Sequence, residues 1–356
     1  RFHRALAMRL EEVAALQGHE ELRVWHIAWS PSGATLASCG EDKTIRLWGR
    51  HGATEQDGGG WCCQAVLEEG HQRTIRCVAW SPDTRFLASC SFDGTASVWE
   101  CIENEFDCVA SLEGHENEVK GVAWAASGSL LATCGRDKAV FIWEAEDENF
   151  EVAAVMHSHT QDVKCVAWHP HEDILASSSY DDTIRLYSRA PGDDDWRCTS
   201  TLSGHTSTVW CVCFTADGRG ILSASDDRSI ILWEKQGELY SEAARLSEVH
   251  ERAIYTLSWT GSTAHGLVAA GSSDDAISIT QVALSSTNNP ASLRKDGMQP
   301  SAHQGDVNCV AWRPLPEDQQ DAASMVGRVV ASAGDDGMVR LWRCVEGEAS
   351  DTMHLD

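Results

Sequence analysis

Seven histidines punctuate the chain at intervals of about 45 residues: His19, His71, His115, His159, His205, His250 and His303. Glycine precedes four of them (Gly18, Gly70, Gly114, Gly204), and Ser158, Val249 and Ala302 precede the others. Trp29 follows the first by ten residues; Trp80, Trp124, Trp168, Phe214, Trp259 and Trp312 follow the later ones by nine. Each copy then reaches an acidic residue: Asp42, Asp93, Asp137, Asp181, Asp227, Asp274 or Asp336. Six residues beyond it stand Trp48, Trp99, Trp143, Tyr187, Trp233 and Trp342, with Thr280 in the sixth copy. Repetition of this kind overrides the two-domain expectation that 356 residues would otherwise carry.

Between the markers the chain alternates. VKGVAW (119–124) and IRCVAW (75–80) place apolar side chains at every second position, the period of a half-buried strand. LASC (36–39) and LATC (131–134) are short strands of small residues, followed by turn sequences such as GEDKT and SFDGT and by strands such as IRLW and ASVW. A Gly-His opening, a terminal Trp and a period near 40–45 are the WD40 signature, and such units stack radially as four-stranded blades. The expected fold is therefore all-β, a seven-bladed WD40 β-propeller forming one domain over 11–343, with short tails at 1–10 and 344–356. An outer strand precedes each Gly-His, as in CVASLEGH (108–115). The first, EEVAALQGH (11–19), has no earlier blade to join, while the last repeat lacks an outer strand. Pairing the two closes the ring and removes both open edges.

Composition excludes several classes. The net charge of −26 opposes nucleic-acid binding, which needs a clustered positive field. No stretch approaches the ~20 apolar residues of a membrane helix, and the opening RFHRALAMRL lacks the apolar core of a secretory signal. The 14 cysteines include Cys62-Cys63 and Cys211-x-Cys213, neither with metal-site or redox C-x-x-C spacing. Most others, such as Cys77, Cys165 and Cys309, fall in strand patterns and read as small reduced hydrophobes. No cofactor and no metal are expected.

His19, Ser38 and Asp42 look like a hydrolase triad, but the same set recurs with Ser89, Thr133, Ser177, Ser223 and Ser332. A catalytic constellation is needed once; one repeated around the chain is architecture. His71, Ser89, Asp93 and Trp99 in blade 2, and His115, Thr133, Asp137 and Trp143 in blade 3, are thus expected to form buried hydrogen-bonded networks. Blade 6 departs most, with Ala270 in the hydroxyl position and Thr280 for the Trp, and is expected to be the least rigid. No Gly-rich phosphate loop or H-E-x-x-H occurs, and GDDD (192–195) lacks the spaced ligands of a calcium loop.

Propellers bind mostly through loops on the top of the disc, and three positions per blade point there: the residue before the turn Asp and two near the start of the inner strand. They offer Arg23, Trp25 and Glu41; Thr74, Arg76 and Phe92; Glu118, Lys120 and Arg136; Asp162, Lys164 and Tyr180; Thr208, Trp210 and Asp226; Ala253, Tyr255 and Ser273; and Asp306, Asn308 and Asp335. In a strongly acidic chain, blades 2 to 4 gather Arg76, Lys120, Arg136 and Lys164 on one face, with Phe92, Tyr180, Trp210, Tyr255 and Trp25 among them. Arg and aromatics are hot-spot residues. The set suits a short peptide with an anionic group and an aromatic side chain, such as a free C-terminus. The opposing reading is that Glu118 and Asp162 neutralise these cations. Loops of the other face, EDENFE (146–151), GDDD and the blade 7 insertion 313–328, are acidic or polar, and 282–300 reads as a long polar linker.

EEGHQRTIRCVAWSP (68–82), LEGHENEVKGVAW (112–124), LATCGRDKAVFIWE (131–144), SHTQDVKCVAWHP (158–170), LASSSYDDTIRLY (175–187) and DDDW (193–196) closely resemble the WD40 proteins of cytosolic iron–sulfur assembly. The resemblance spans 11–343 and is weakest in blade 6 and the blade 7 insertion. It implies a non-enzymatic scaffold, the propeller subunit of a late-acting targeting complex. That subunit joins a small cluster-adaptor protein and a HEAT-repeat scaffold. An iron-only-hydrogenase-like protein donates the 4Fe–4S cluster, and apo iron–sulfur client proteins of the cytosol and nucleus receive it. The expected location is accordingly cytoplasmic, extending to the nucleus. Many clients carry a short C-terminal motif ending in an aromatic residue, in keeping with the top-face reading. A functionally important surface Arg on a blade 3 turn of the family matches Arg136 in CGRDK.

Other classes fit less well. A chromatin-tail reader would want an acidic pocket, whereas blades 2 to 4 present cations. A ubiquitin-ligase substrate receptor would carry an adaptor-binding segment for which short tails leave little room. An enzyme on this fold would need a singular acid–base or metal cluster, and none is legible.

Overall fold

Each repeat carries apolar side chains on both faces of its sheet, so it needs a neighbour on either side. A computed structural model describes residues 8–51, 60–103, 105–189, 195–237, 239–262, 265–287, 289–314 and 326–347. Among the described residues, 28 strands make seven four-stranded antiparallel sheets, and no helix is present. Blade 3 illustrates the unit: Val119–Trp124, Leu130–Gly135, Val140–Glu146 and Asn149–Met156 run as strands a to d, with the a strands of neighbouring blades in contact around the axis.

Seven apolar clusters each join two adjacent blades. Val122, Trp124 and Phe141 of blade 3 pack on Phe86, Ala88 and Val98 of blade 2. Cys309, Ala331 and Leu341 of blade 7 pack on Val24, Ile27 and Trp29 of blade 1, which completes the ring. Each large side chain buried this way contributes about 1.5–3 kcal/mol. The closure expected from sequence is present: Met8–Gln17 pairs with Met338–Glu346, with Leu10 opposite Cys344 and Leu16 opposite Val339. This pair runs beyond the expected 11–343 at both ends.

Two readings change. The stretch 282–300 is not a linker, because Ser292–Gln299 pairs with Ile277–Ala283 as the outer strand of blade 6. Blade 6 also keeps a hydroxyl for its histidine. Ser278 on strand c, rather than a residue on strand b, lies 2.8 Å from His250 Nε2. Most of GDDD (192–194) and most of the blade 7 insertion (315–325) lie outside the described residues.

The repeated triad is a buried hydrogen-bond chain. In blade 2, Trp99 Nε1 donates to Ser89 Oγ at 3.0 Å, Ser89 lies 2.9 Å from His71 Nε2, and His71 Nδ1 lies 3.1 Å from Asp93. In blade 3 the distances are 3.0 Å for Trp143 to Thr133, 2.8 Å for Thr133 to His115 and 2.7 Å for His115 to Asp137. The indole N–H donates to the hydroxyl, and each imidazole bridges that hydroxyl at Nε2 and the carboxylate at Nδ1. In blade 4 Tyr187 replaces the indole at a longer 3.4 Å from Ser177.

Each a–b ladder slips by one residue near its start, so Trp25, Arg76, Lys120, Lys164, Trp210, Tyr255 and Asn308 are unpaired bulge residues. A bulge re-aims its side chain, and here seven bulges surround one axis. The residue before each turn Asp is tied to the same end, as in Phe92 N to Thr74 O at 3.0 Å and Arg136 N to Glu118 O at 2.9 Å.

Candidate functional site: the mouth of the central channel

All seven bulge residues line a cavity of about 260 Å³ at the channel mouth, where Trp25, Arg76, Lys120, Lys164, Trp210 and Tyr255 stand with Phe92. Arg23, Asp306, Asn308 and Asp335 complete its wall. The mouth is divided: Arg76, Lys120 and Lys164 come from blades 2 to 4, and Asp306 and Asp335 from blade 7.

The cations differ in what they face. Lys120 Nζ lies 2.5 Å from Asp162 Oδ2, a direct ion pair. Lys164 Nζ is 4.0 Å from the same carboxylate and sits over two rings, Trp210 at 4.6 Å and Tyr180 at 5.0 Å. Burial and the charge of Lys120 bring the Lys164 ammonium down to about 8. The Arg76 guanidinium packs over Trp25 at 4.9 Å, and among the described residues no carboxylate pairs with it. Trp25 lies 6.5 Å from Phe92, and Trp210 meets Tyr255 edge-on at 4.9 Å.

Arg136 and Tyr180 do not line the cavity. Arg136 stands on the outer rim, with 54% of its side chain exposed, 3.3 Å from Glu118. Tyr180 is exposed and reaches the mouth only through its ring contact with Lys164. The expectation of an open basic face is corrected in part: Asp162 engages Lys120 and Glu118 engages Arg136. Arg73 was missed by the sequence reading. It shares Glu118 with Arg136 at 3.1 Å and stacks on Phe92 at 6.0 Å. On the acidic side, Arg23 pairs with Asp335 at 3.2 Å, and burial beside Asp335 raises the Asp306 carboxyl.

A second cavity of about 390 Å³ shares Arg76, Lys120, Lys164, Trp210, Tyr255 and Asn308 with the mouth. A collar of residues next to the bulges lines it, His26, Cys77, Gly121, Cys165, Cys211 and Thr256, and Cys309 holds the equivalent place in blade 7. Most of them bond to the next blade. His26 Nδ1 accepts from Val78 N at 3.4 Å, Cys77 Sγ donates to Val122 O at 3.7 Å, and Cys165 Sγ to Val212 O at 3.8 Å. Cys211 Sγ accepts from Leu257 N at 3.3 Å, Thr256 Oγ1 from Val310 N at 3.2 Å, and Cys309 Sγ donates to Ile27 O at 3.6 Å. Gly121 interrupts the ring; a Cβ there would lie 2.9 Å from Cys134 Sγ. Among the described residues no three His, Cys, Asp or Glu side chains are placed to hold a metal ion.

The arrangement can accept an anionic group beside an apolar or aromatic one. Arg76 and Lys164 supply charge without a tight internal partner, and the rings that hold them supply contact area.

Six stretches of the chain, 10–49, 61–100, 106–144, 150–188, 196–234 and 297–343, match the family described as "WD domain, G-beta repeat". Most of blade 6 falls in the interval after 234. The "Probable cytosolic iron-sulfur protein assembly protein" of Culex quinquefasciatus is 48% identical, the match covering 96% of this chain and 99% of the relative. Its namesake in Aedes aegypti is 43% identical over 94% and 98% of the two chains. A homolog named in the same way in Chlamydomonas reinhardtii is 42% identical, again over 94% and 98%.

Proposed function

The chain belongs to the cytosolic iron–sulfur protein assembly family of WD40 propellers, and on that premise we propose that it is a non-catalytic adaptor that receives apo client proteins for late 4Fe–4S insertion. The reading rests on one observation: Arg76 packed over Trp25, and Lys164 over Tyr180 and Trp210, stand in a concave mouth without a tight carboxylate partner. Such groups favour an anion that brings an apolar neighbour, as a C-terminal carboxylate beside an aromatic side chain does. Arg76 and Lys164 take the carboxylate, Trp25, Phe92, Trp210 and Tyr255 pack the ring, and Arg136 on the rim takes an acidic side chain further along the peptide. Lys120 acts indirectly, holding Asp162 away from Lys164.

The partners of this reading are proteins: a small cluster-adaptor protein, a HEAT-repeat scaffold, an iron-only-hydrogenase-like cluster donor and the clients. The setting is cytosolic, as the names of the relatives state for those proteins. The recurrence of the His–Ser–Asp set around the ring supports a non-catalytic role, because its members are buried among themselves.

The test is fluorescence anisotropy with a labelled peptide ending in an acidic residue and Trp, run as the free acid and as the C-terminal amide. Saturable binding of the acid, lost on amidation and in Arg76→Glu or Arg136→Glu, is the expected result. Equal binding of acid and amide would remove the carboxylate-reading mechanism.

A further inference from the structure

Blades 2, 5 and 7 each carry an arginine as the residue before strand b: Arg85, Arg219 and Arg328. The three are equivalent in register. Their carbonyls accept from Cys101 N, Lys235 N and Cys344 N at 2.9, 2.9 and 2.8 Å, and each follows a residue of positive φ: Thr84, Gly218 or Gly327. Their side chains meet different surroundings. Arg85 Nε donates to Glu100 at 2.6 Å, and Arg219 Nε to Asp217 at 2.6 Å. Blade 7 has lost both acidic positions. Arg343 stands where blade 2 has Glu100, opposite the first residue of strand b, and Val326 stands where blade 5 has Asp217.

Arg328 is also the buried member of the three, 6% exposed. Strand a of blade 6, Ile254–Gly261, has eight residues where the other six blades have six. Thr260, near the end of that longer strand, accepts from Arg328 Nη1. Leu267, opposite Thr260, belongs with Trp312, Val330 and Cys344 to the apolar cluster that joins blades 6 and 7. Arg328 Nε and Nη2 are buried, and among the described residues neither has a hydrogen-bond partner. Burial pushes the guanidinium down from its ordinary value. A buried cation without a counter-charge is a costly group for a fold to carry. Nε and Nη2 share one edge of the guanidinium, where their two N–H groups match the two oxygens of a carboxylate. Arg245 uses that edge on Glu242, at 2.9 Å from Nε and 2.8 Å from Nη2.

We propose that Arg328 is a carboxylate-binding site in the seam between blades 6 and 7, on the face opposite the channel mouth. The ligand is a carboxylate, carried by a small free acid or by an acidic side chain of a protein. It lies side-on against Nε and Nη2 while Nη1 keeps Thr260, and it reaches them as the end of the blade 6 hairpin moves aside. No residue of this site belongs to the mouth, so the two sites stand or fall separately.

The test is thermal unfolding of the full chain, as wild type and as Arg76→Glu, which removes anion binding at the mouth. Sodium acetate probes for a free acid, and N-acetylglutamic acid α-amide for a side chain. Each is compared with sodium chloride at the same concentration, and N-acetylglutamine amide is the neutral control. The expected result is a saturable rise in melting temperature of about 2 °C at ten times the Kd. The rise should be equal in wild type and Arg76→Glu, and absent in Arg328→Met and Arg328→Lys. A rise with acetate alone identifies a free acid, and a rise with the glutamate amide identifies an acidic side chain. Without ligand, Arg328→Met should melt above the wild type, because it removes an uncompensated buried charge and keeps the apolar stem. A rise of the same size in Arg328→Met, or no rise beyond chloride with either probe, would overturn the assignment. So would an Arg328→Met variant melting several degrees below the wild type, since the guanidinium would then already be compensated within the chain.

Discussion

Adjacent residues 136 and 137 should give opposite phenotypes. Asp137 accepts three hydrogen bonds: His115 Nδ1 at 2.7 Å, Glu116 N at 3.0 Å and Ala139 N at 3.1 Å. Asp137→Ala strands all three donors. The His115 ring is only 3% exposed, so its unpaired N–H costs about 1–3 kcal/mol. The two amides lie on a turn that water reaches in part, and add roughly 0.5 kcal/mol each. The total is about 3 kcal/mol. Melting entropy near 2.1 cal/mol/K per residue gives ~0.7 kcal/mol/K for a chain of 356 residues. The melting temperature should therefore fall by about 4 °C. Arg136→Glu removes an exposed ion pair and adds a like charge beside Glu118. Exposed pairs contribute ~0–1 kcal/mol, so its shift should stay near 1 °C. Differential scanning calorimetry of the wild type and both variants at one scan rate reads the contrast. Equal melting shifts for the two variants would refute the placement of Arg136 on the rim, and a shift under about 1 °C for Asp137→Ala would refute the network's structural role.

Three other outcomes are expected. Burial raises the Asp274 carboxyl, but the hydrogen bond and charge of His250 outweigh it and hold the group at about 2 against an ordinary 3.8. The contribution, roughly 2 kcal/mol, is fully present above pH 4 and is lost as pH falls through 2, so Asp274→Ala and wild type should converge in acid urea melts. Binding of the acidic peptide should be tightest below pH 8 and weaken as Lys164 deprotonates above it; Lys164→Arg, which keeps its charge, should flatten the anisotropy profile. Ser278→Ala leaves His250 Nε2 without its buried partner and should cost about 1–3 kcal/mol in urea unfolding. Ala270→Ser added to it should restore most of the loss by rebuilding the arrangement of the other blades.

The blades were legible because their determinants are local. The His, the aromatic, the Asp and the second aromatic recur at fixed offsets, and the strand pairings they imply are nearest neighbours in sequence. What escaped was packed against something distant. Ser292–Gln299 has no strand-like alternation: its sequence is mostly polar, and it is fixed by its pairing with Ile277–Ala283 and by contacts with the outer strands of both neighbouring blades. A Cβ on Gly297 would lie only 2.1 Å from Met8 O, so the close approach of two chain regions, rather than a hydrophobic pattern, explains its composition. Ser278 escaped for a different reason. The repeat template places the hydroxyl on strand b, yet Ser278 on strand c, directly across the ladder from Ala270, reaches the same imidazole nitrogen.

The binding face was read blade by blade, and there the reading was incomplete in a systematic way. The pairs that neutralise its cations link adjacent repeats: Lys120 with Asp162 at a separation of 42 residues, and Arg73 with Glu118 at 45. The collar obeys the same offset, 45 from Cys77 to Val122 and 46 from Cys211 to Leu257. A propeller therefore carries two periods of contact, about half a repeat within the His–Asp network and a full repeat between blades. Charges summed within each blade count Arg76, Lys120, Lys164 and Arg136 as equivalent. Charges compared pair by pair do not: Lys120 is engaged by Asp162 of the next blade and Arg136 by Glu118 of its own, whereas Arg76 and Lys164 lack a tight carboxylate partner. The distinction arises because the first two can reach a carboxylate of the same or next blade, whereas aromatic faces hold Arg76 and Lys164. Cation–π contact keeps such a side chain ordered without cancelling its charge, the state a preformed anion site requires.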